Sequence, residues 1–123
     1  MKKLTWIIQG IIIFAFLGAG TMKMTQPIEQ IAEQMNWVNY FQPWMIRAIG
    51  FAQALGAMGL ILPMVIKPIP SQLTVYAGAG LSLLMLGAIG THIVIGEATQ
   101  ILPPTILFLL SGFVTWKRKA ELL

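Results

Sequence analysis

The 123-residue sequence contains no cysteine and only one histidine. Without cysteine, the chain cannot form a disulfide framework, perform thiol chemistry, or ligate an iron–sulfur cluster or a thiolate-bound metal. One histidine also excludes a haem with two histidine ligands and a histidine-rich zinc site within a single chain. We therefore predict no intrinsic cofactor and no metal site, and we expect any redox chemistry to depend on a cofactor from outside the chain.

Charged residues are also scarce, at 10% of the sequence, while hydrophobic residues make up 57%. A soluble domain has about 25% charged residues, and a small domain needs more polar cover than a large one. The composition thus excludes a water-soluble globule. It predicts a protein that is embedded in the lipid bilayer and has the bilayer as a partner. The net charge of +4 does not indicate nucleic acid, because the basic residues lie at the ends of apolar runs.

Four long apolar runs occupy residues 4–22, 45–65, 73–95 and 101–116. None has the polar stripe of a soluble amphipathic helix, and a helix needs about 20 such residues to cross a bilayer. Strands of a membrane β-barrel would be about 9–11 residues long with alternating hydrophobicity, a pattern that these runs lack. We predict an all-α membrane protein, with a four-transmembrane-helix bundle forming a single integral membrane domain over residues 1–123.

The one extended polar segment, residues 23–44, connects the first two runs. Apolar residues in its first half recur at helical spacing: Ile28, Ile31, Ala32 and Met35. This spacing predicts a short amphipathic helix, with Glu29 and Glu33 facing water. Its second half contains four aromatic residues: Trp37, Tyr40, Phe41 and Trp44. Two interpretations stay open for the segment, an anchor at the level of the lipid headgroups and a lid over a pocket.

The basic residues predict the orientation of the bundle. With four spans, both termini and the turn after the second span lie on one face of the membrane, which has six basic residues: Lys2, Lys3, Lys67, Lys117, Arg118 and Lys119. The other face has only Lys23 and Arg47. Because lysine and arginine accumulate in cytoplasmic loops, we predict a protein of the bacterial plasma membrane (the cell inner membrane), N-in and C-in. We expect Arg118 and its two lysine neighbours to reach the headgroups.

Small residues predict how the helices pack. In lipid, helices associate through close approach at small side chains and through hydrogen bonds between helices. The second run has Ala48, Ala52, Gly56 and Gly59 at helical spacing, and the third has Gly87, Gly90 and Thr91. We predict that these two sets are packing seams.

Five polar residues in or beside the spans belong to the outward half of the predicted bundle: Lys23, Arg47, Gln53, His92 and Glu97. Ionisable groups in a bilayer are costly and usually face a bundle interior or a water-filled cavity. We therefore predict a ligand-binding polar pocket on the outward side, with Lys23, Gln53 and His92 on its wall. Structural roles are the alternative: headgroup contacts for Lys23 and Arg47, a loop carboxylate for Glu97. For His92 and Gln53 the alternative is a structural hydrogen bond.

Three segments carry a resemblance to a known family. They are the small-residue run ending in Lys23 (18–23), the Leu-Gly-Ala helix closed by Pro63 (49–63), and the Gly-Ala helix ending in Thr91-His92, followed by Gly96-Glu97. Together they resemble the DoxX-like family of small four-helix membrane proteins, and the similarity covers nearly the whole chain. Members commonly have glutamate at the position of Gln53. If the family uses a Lys–Glu pair or a proton relay there, this chain has Lys23 but lacks the acid.

Two functions follow from these observations. The resemblance implies a membrane subunit that binds a lipophilic molecule, such as a quinone, or a membrane redox partner, because relatives include a subunit of thiosulfate:quinone oxidoreductase. The alternative is a structural or assembly protein without a ligand, whose packing seams form an interface, for example in a homo-oligomer. We assign no catalytic residue and expect no autonomous enzyme, because the sequence has no coenzyme loop, Walker motif or paired metal ligands.

Overall fold

The computed structural model describes residues 2–122 and is helical, with no strand in this range. Five α-helices follow one another along the chain: α1 (Lys2–Thr25), α2 (Ile28–Gln34), α3 (Pro43–Val65), α4 (Leu73–Val94) and α5 (Leu102–Leu122). Two short 3₁₀ helices, Asn36–Tyr40 and Ala98–Gln100, lie in the connections. The all-α prediction is confirmed.

Three of the helices, α1, α3 and α4, are long and apolar enough to cross a membrane. They match the first three predicted spans with small shifts at their ends. The fourth predicted run lies in α5, which has 21 residues. The last two turns of α5 carry Lys117, Arg118, Lys119 and Glu121, so its length and composition alone do not identify it as a span.

The four long helices form a ring in which α1 packs on α3, α3 on α4, α4 on α5, and α5 on α1. Their shared core is apolar: Ile12, Phe16, Ala57, Leu60, Leu81, Met85 and Val114. Large apolar side chains also cover the outside of the ring, as at Phe14 and Val94. Helices that are apolar on all faces need lipid around them, which agrees with α1, α3 and α4 being long and apolar enough to cross a membrane.

Backbone contact between α1 and α3 depends on a pair of glycines. A Cβ atom on Gly20 would lie 2.5 Å from the carbonyl oxygen of Gly50, and one on Gly50 would lie 2.7 Å from that of Gly20. Only hydrogen fits between these two backbones, so α1 and α3 touch through their main chains at this crossing.

The predicted packing seams are only partly right. Gly56 and Gly59 do pack against α4, on the side chains of Leu81 and Ala77. Ala48 and Ala52 are exposed instead, and a Cβ atom on Gly87 or Gly90 would meet no other atom within 4 Å. Because every face of these helices is apolar, small residues at helical spacing did not reveal which face the neighbouring helix covers.

At the end of the bundle where the chain begins and ends, Arg118 turns inward. It is 2% exposed, its Nε atom donates a hydrogen bond of 2.8 Å to Gln9 Oε1, and its guanidinium lies 4.7 Å from the ring centre of Trp6. Gln9 Nε2 in turn donates to the carbonyl oxygen of Leu60 at 2.5 Å. The expectation that Arg118 reaches the headgroups is wrong, because Arg118 shares the buried face of α5 with Ser111 and Val114.

A candidate ligand-binding cavity

A cavity of about 770 Å³ opens at the opposite end of the bundle, under the chain that connects α1 with α3. We call residues 26–42 the connecting segment. All four long helices and the connecting segment contribute to its wall. Most of that wall is apolar, with Ile49, Leu83, Ala88 and Leu107 among the side chains that form it. Polar side chains of the wall approach one another in two places, and Glu33, Gln34, Thr91 and Gln100 also line the cavity.

The first polar place is a contact between Lys23 and Gln53. Lys23 Nζ donates a hydrogen bond of 3.0 Å to Gln53 Oε1, and the two residues are 5% and 4% exposed. Lys23 and Gln53 each follow one turn after the glycine through which α1 and α3 touch, Gly20 and Gly50 respectively. The glycine crossing therefore brings the lysine against the glutamine.

The second polar place is formed by His92, Glu97 and Asn36. Asn36 Nδ2 donates a hydrogen bond of 3.2 Å to Glu97 Oε2, and His92 Nδ1 lies 3.8 Å from Glu97 Oε1. That separation is too long for a hydrogen bond, and both atoms are buried without a partner in the described range. A Schellman-type turn brings the glutamate there: Gly96 has φ 84°, and the Glu97 amide donates back to the His92 carbonyl at 2.7 Å.

Four of the five predicted site residues line this one cavity: Lys23, Gln53, His92 and Glu97. Arg47 does not line it. Its Nη1 atom donates to the backbone carbonyls of Lys23, at 2.9 Å, and Gln26, at 2.6 Å. A cation on the free carbonyls of a helix C-terminus satisfies them and favours the helix dipole. Arg47 thus holds the end of α1, and with it the backbone of Lys23, while ligand binding by the other four stays a prediction.

The connecting segment forms one wall of the cavity, and none of the five predicted site residues lies in this segment. Its α2 helix is amphipathic as predicted, with Ile31 fully buried against Val38 and with Glu29 exposed. Met35, Asn36, Trp37 and Phe41 face the cavity. The periodicity of this segment indicated a buried face, but it did not indicate what that face covers.

The four aromatic residues between positions 37 and 44 fit both interpretations of this region, as a lid and as an anchor at the headgroups. Trp37 and Phe41 line the cavity, and their rings meet edge to face with centres 5.6 Å apart. Tyr40 and Trp44 are 58% and 65% exposed, as side chains at the headgroup level are. The connecting segment and the start of α3 therefore both cover the cavity and expose aromatic side chains.

Among residues 2–122, no cluster of three or more histidine, cysteine, aspartate or glutamate side chains could hold a metal ion. The polar side chains on the cavity wall provide one ammonium, four carboxamides, one hydroxyl, one imidazole and two carboxylates. They can donate and accept hydrogen bonds and can compensate charge.

In a comparison with protein families, residues 7–114 match the family model described as the DoxX-like family. Comparisons with curated proteins and with solved structures found no match.

Proposed function

This chain belongs to the DoxX-like family, and we propose that it is a small integral membrane protein whose cavity binds a lipophilic molecule bearing oxygen acceptors. The observation that carries the proposal is the buried Lys23–Gln53 contact on the wall of a mostly apolar cavity. Small-molecule sites have this composition, with apolar walls and a few polar groups that orient the ligand, in volumes of about 300–1,000 Å³.

The ligand class includes quinone-like molecules. Their rings and tails suit the apolar wall, and their carbonyl oxygens accept hydrogen bonds, which Lys23 and Gln53 can donate. The candidate site has no cysteine, and its single imidazole is that of His92. The electrons of a redox role would therefore pass through a partner protein in the membrane, and binding would be the task of this chain.

We place the bundle in the bacterial plasma membrane with α5 as the fourth span. At about 1.5 Å per residue, a helix as long as α5 reaches roughly 32 Å, enough for a hydrocarbon core of about 30 Å. The contacts of α5 with both α4 and α1 support the same assignment, because they close the ring. The basic residues near both termini favour a cytoplasmic location for that end, so the cavity faces outward.

Two glycines of α4 provide a matched test. Gly87 and Gly90 are both exposed helical residues with free space where a Cβ atom would stand, but only Gly87 lines the cavity. We expect the chain in phosphatidylcholine nanodiscs to bind dodecanoate or a decyl-benzoquinone saturably, beyond partition into empty nanodiscs. Gly87→Leu should weaken binding by about tenfold or more because its side chain fills ligand space, and Gly90→Leu should leave binding unchanged.

The readout is native mass spectrometry of the nanodisc complexes as the ligand is titrated. The absence of saturable binding for both compounds would overturn the proposal and leave the chain with a structural or assembly role. Equal affinities for the two leucine variants would also overturn it, because the bound molecule would then lie elsewhere.

A further inference from the structure

The charges around Lys23 determine which polar group of a ligand can bind in the cavity. The ammonium group has three donor hydrogens, and the described residues provide one acceptor for it, Gln53 Oε1. Two carboxylates lie within 4.0 Å of a basic side chain in the described range, Glu121 beside Arg118 and Glu97 beside His92, and neither contact includes Lys23. A buried ammonium without a negative partner favours any ligand that brings one.

Gln53 adds a second donor next to Lys23. An ammonium can only donate, so the amide oxygen of Gln53 must face it, and Nε2 is left as a donor. The Gln53 side chain makes no other hydrogen bond within residues 2–122. A lysine Nζ and an amide Nε2 side by side can each bond one oxygen of the same carboxylate.

The other charges around the cavity also favour binding of an anion beside Lys23. Two carboxylates line the wall, Glu33 and Glu97. Glu33 is exposed, whereas Glu97 is held by Asn36 and lies beside His92, and neither carboxylate contacts Lys23. Arg47, although outside the cavity, places its guanidinium on the carbonyl of Lys23 and adds positive charge there. The wall is thus cationic near the α1–α3 crossing, and between the two polar places it is mostly hydrocarbon.

We infer that the cavity binds an amphipathic anion, a hydrocarbon chain with a terminal carboxylate that lies between Lys23 Nζ and Gln53 Nε2. The inference rests on the proposed function, and it narrows the ligand class from oxygen acceptors in general to anions. A neutral carbonyl leaves the ammonium charge uncompensated, whereas a carboxylate compensates that charge and can accept from both donors at once. The apolar wall receives the hydrocarbon chain.

An isosteric substitution tests the inference. Gln53→Glu preserves side-chain size but places a carboxylate on Lys23, so that the protein supplies the negative charge itself. We compare dodecanoate with methyl dodecanoate, which has the same chain and no charge, in phosphatidylcholine nanodiscs. Wild type should bind dodecanoate about tenfold or more tightly than the ester, and Gln53→Glu should lose that preference while it retains the ester.

Gln100→Glu is the matched control, because Gln100 also lines the cavity and undergoes the same change from amide to carboxylate. It should alter dodecanoate affinity less than about threefold, since it has no contact with Lys23. Lys23→Gln is the second variant, and it should also bind the two compounds equally. This variant decides the matter if Gln53→Glu does not fold.

The outcomes separate the inference from the proposed function. Equal affinities for dodecanoate and its ester in wild type, or an unchanged preference in both Gln53→Glu and Lys23→Gln, would overturn the inference and leave the proposed function intact. No saturable binding of dodecanoate would overturn the inference, and no saturable binding of dodecanoate, its ester or the decyl-benzoquinone would overturn both. Loss of dodecanoate binding when phosphatidylglycerol replaces half of the phosphatidylcholine would assign the site to a membrane phosphate and overturn its assignment to a free carboxylate.

Discussion

Single glycine residues position the polar groups of the cavity. Lys23 and Gln53 meet because Gly20 and Gly50 let α1 and α3 touch through their backbones one turn away. A larger residue at either position would move the two helices apart. The hydrogen bond between the lysine and the glutamine would then lengthen, since both side chains are already buried.

We predict that Gly20→Ala destabilises the bundle by about 1–3 kcal/mol through overpacking. The new methyl group would lie 2.5 Å from the Gly50 oxygen and 2.7 Å from the Ala54 nitrogen, and backbone atoms cannot move aside as a flexible side chain can. Gly18→Ala in the same helix is the control, because a Cβ atom there meets nothing within 4 Å. Unfolding in mixed micelles by titration with dodecyl sulfate measures both, and equal stability of the two variants would contradict the prediction.

Among the elements, α5 is the one whose place in the bundle depends most visibly on polar contacts. It packs along α4, and at its C-terminal end Arg118 joins it to α1 through Gln9. Gln9 also bonds the Leu60 carbonyl, so a chain of side-chain hydrogen bonds links α5, α1 and α3. Such interhelical bonds matter in lipid because hydrophobic burial does not draw helices together there.

Arg118→Met is expected to destabilise the bundle by about 1–3 kcal/mol, because it leaves the buried Gln9 Oε1 without a donor. Lys119→Met, on the exposed face of α5, should stay within about 0.5 kcal/mol of wild type. Adding Gln9→Leu to Arg118→Met removes both partners, so the double variant should be less destabilised than the sum of the single variants. Strict additivity in the same unfolding assay would show that the two side chains do not depend on each other.

The connecting segment shows how far an element can be read from its sequence. Its helical spacing predicted α2 and the burial of Ile31, because periodicity reports the buried face of a short helix directly. The spacing did not predict that Asn36 bonds Glu97 across 61 positions of the chain. That contact depends on the turn at Gly96, which belongs to another part of the sequence.

At the scale of the whole molecule, the two ends of the bundle differ in chemistry. One end carries both termini, most of the basic residues and the buried Arg118, and the other carries the cavity with its cover. This asymmetry is what orients a membrane protein, since basic loops stay in the cytoplasm.

We predict that a green fluorescent protein fused after the last residue fluoresces and that alkaline phosphatase fused there is inactive. A cysteine at position 29 should react with a membrane-impermeant maleimide from outside the cell. It would be the only thiol, because the natural chain has none, and Glu29 is exposed. The same substitution at Ile31, which is fully buried, is the control and should react slowly. An active phosphatase fusion would mean that α5 does not cross the membrane as proposed.

Membrane character, the extents of the long helices and family membership follow from local stretches of the sequence. Transfer of a segment into lipid depends on its own composition, so apolar runs predict α1, α3 and α4 without any knowledge of their neighbours. Lys23, Gln53, His92 and Glu97 could be proposed as a set for a related reason. Polar groups in an apolar run are costly wherever the run packs, and similar depth along their helices is readable from position.

The local sequence does not determine how each helix is rotated about its own axis. That rotation decides which of these polar groups come into contact. Most faces of α3 are apolar, and the last turns of α5 carry charged residues on several faces, so neither sequence distinguishes the face that Gln53 or Arg118 occupies from a face in lipid. Contacts with other helices make that choice: the glycine crossing turns Gln53 to Lys23, and the packing of Val114 turns Arg118 to Gln9. The position of Arg47 outside the cavity has the same cause. Arg47 can reach the free carbonyls at the end of α1 only when α1 and α3 are packed together.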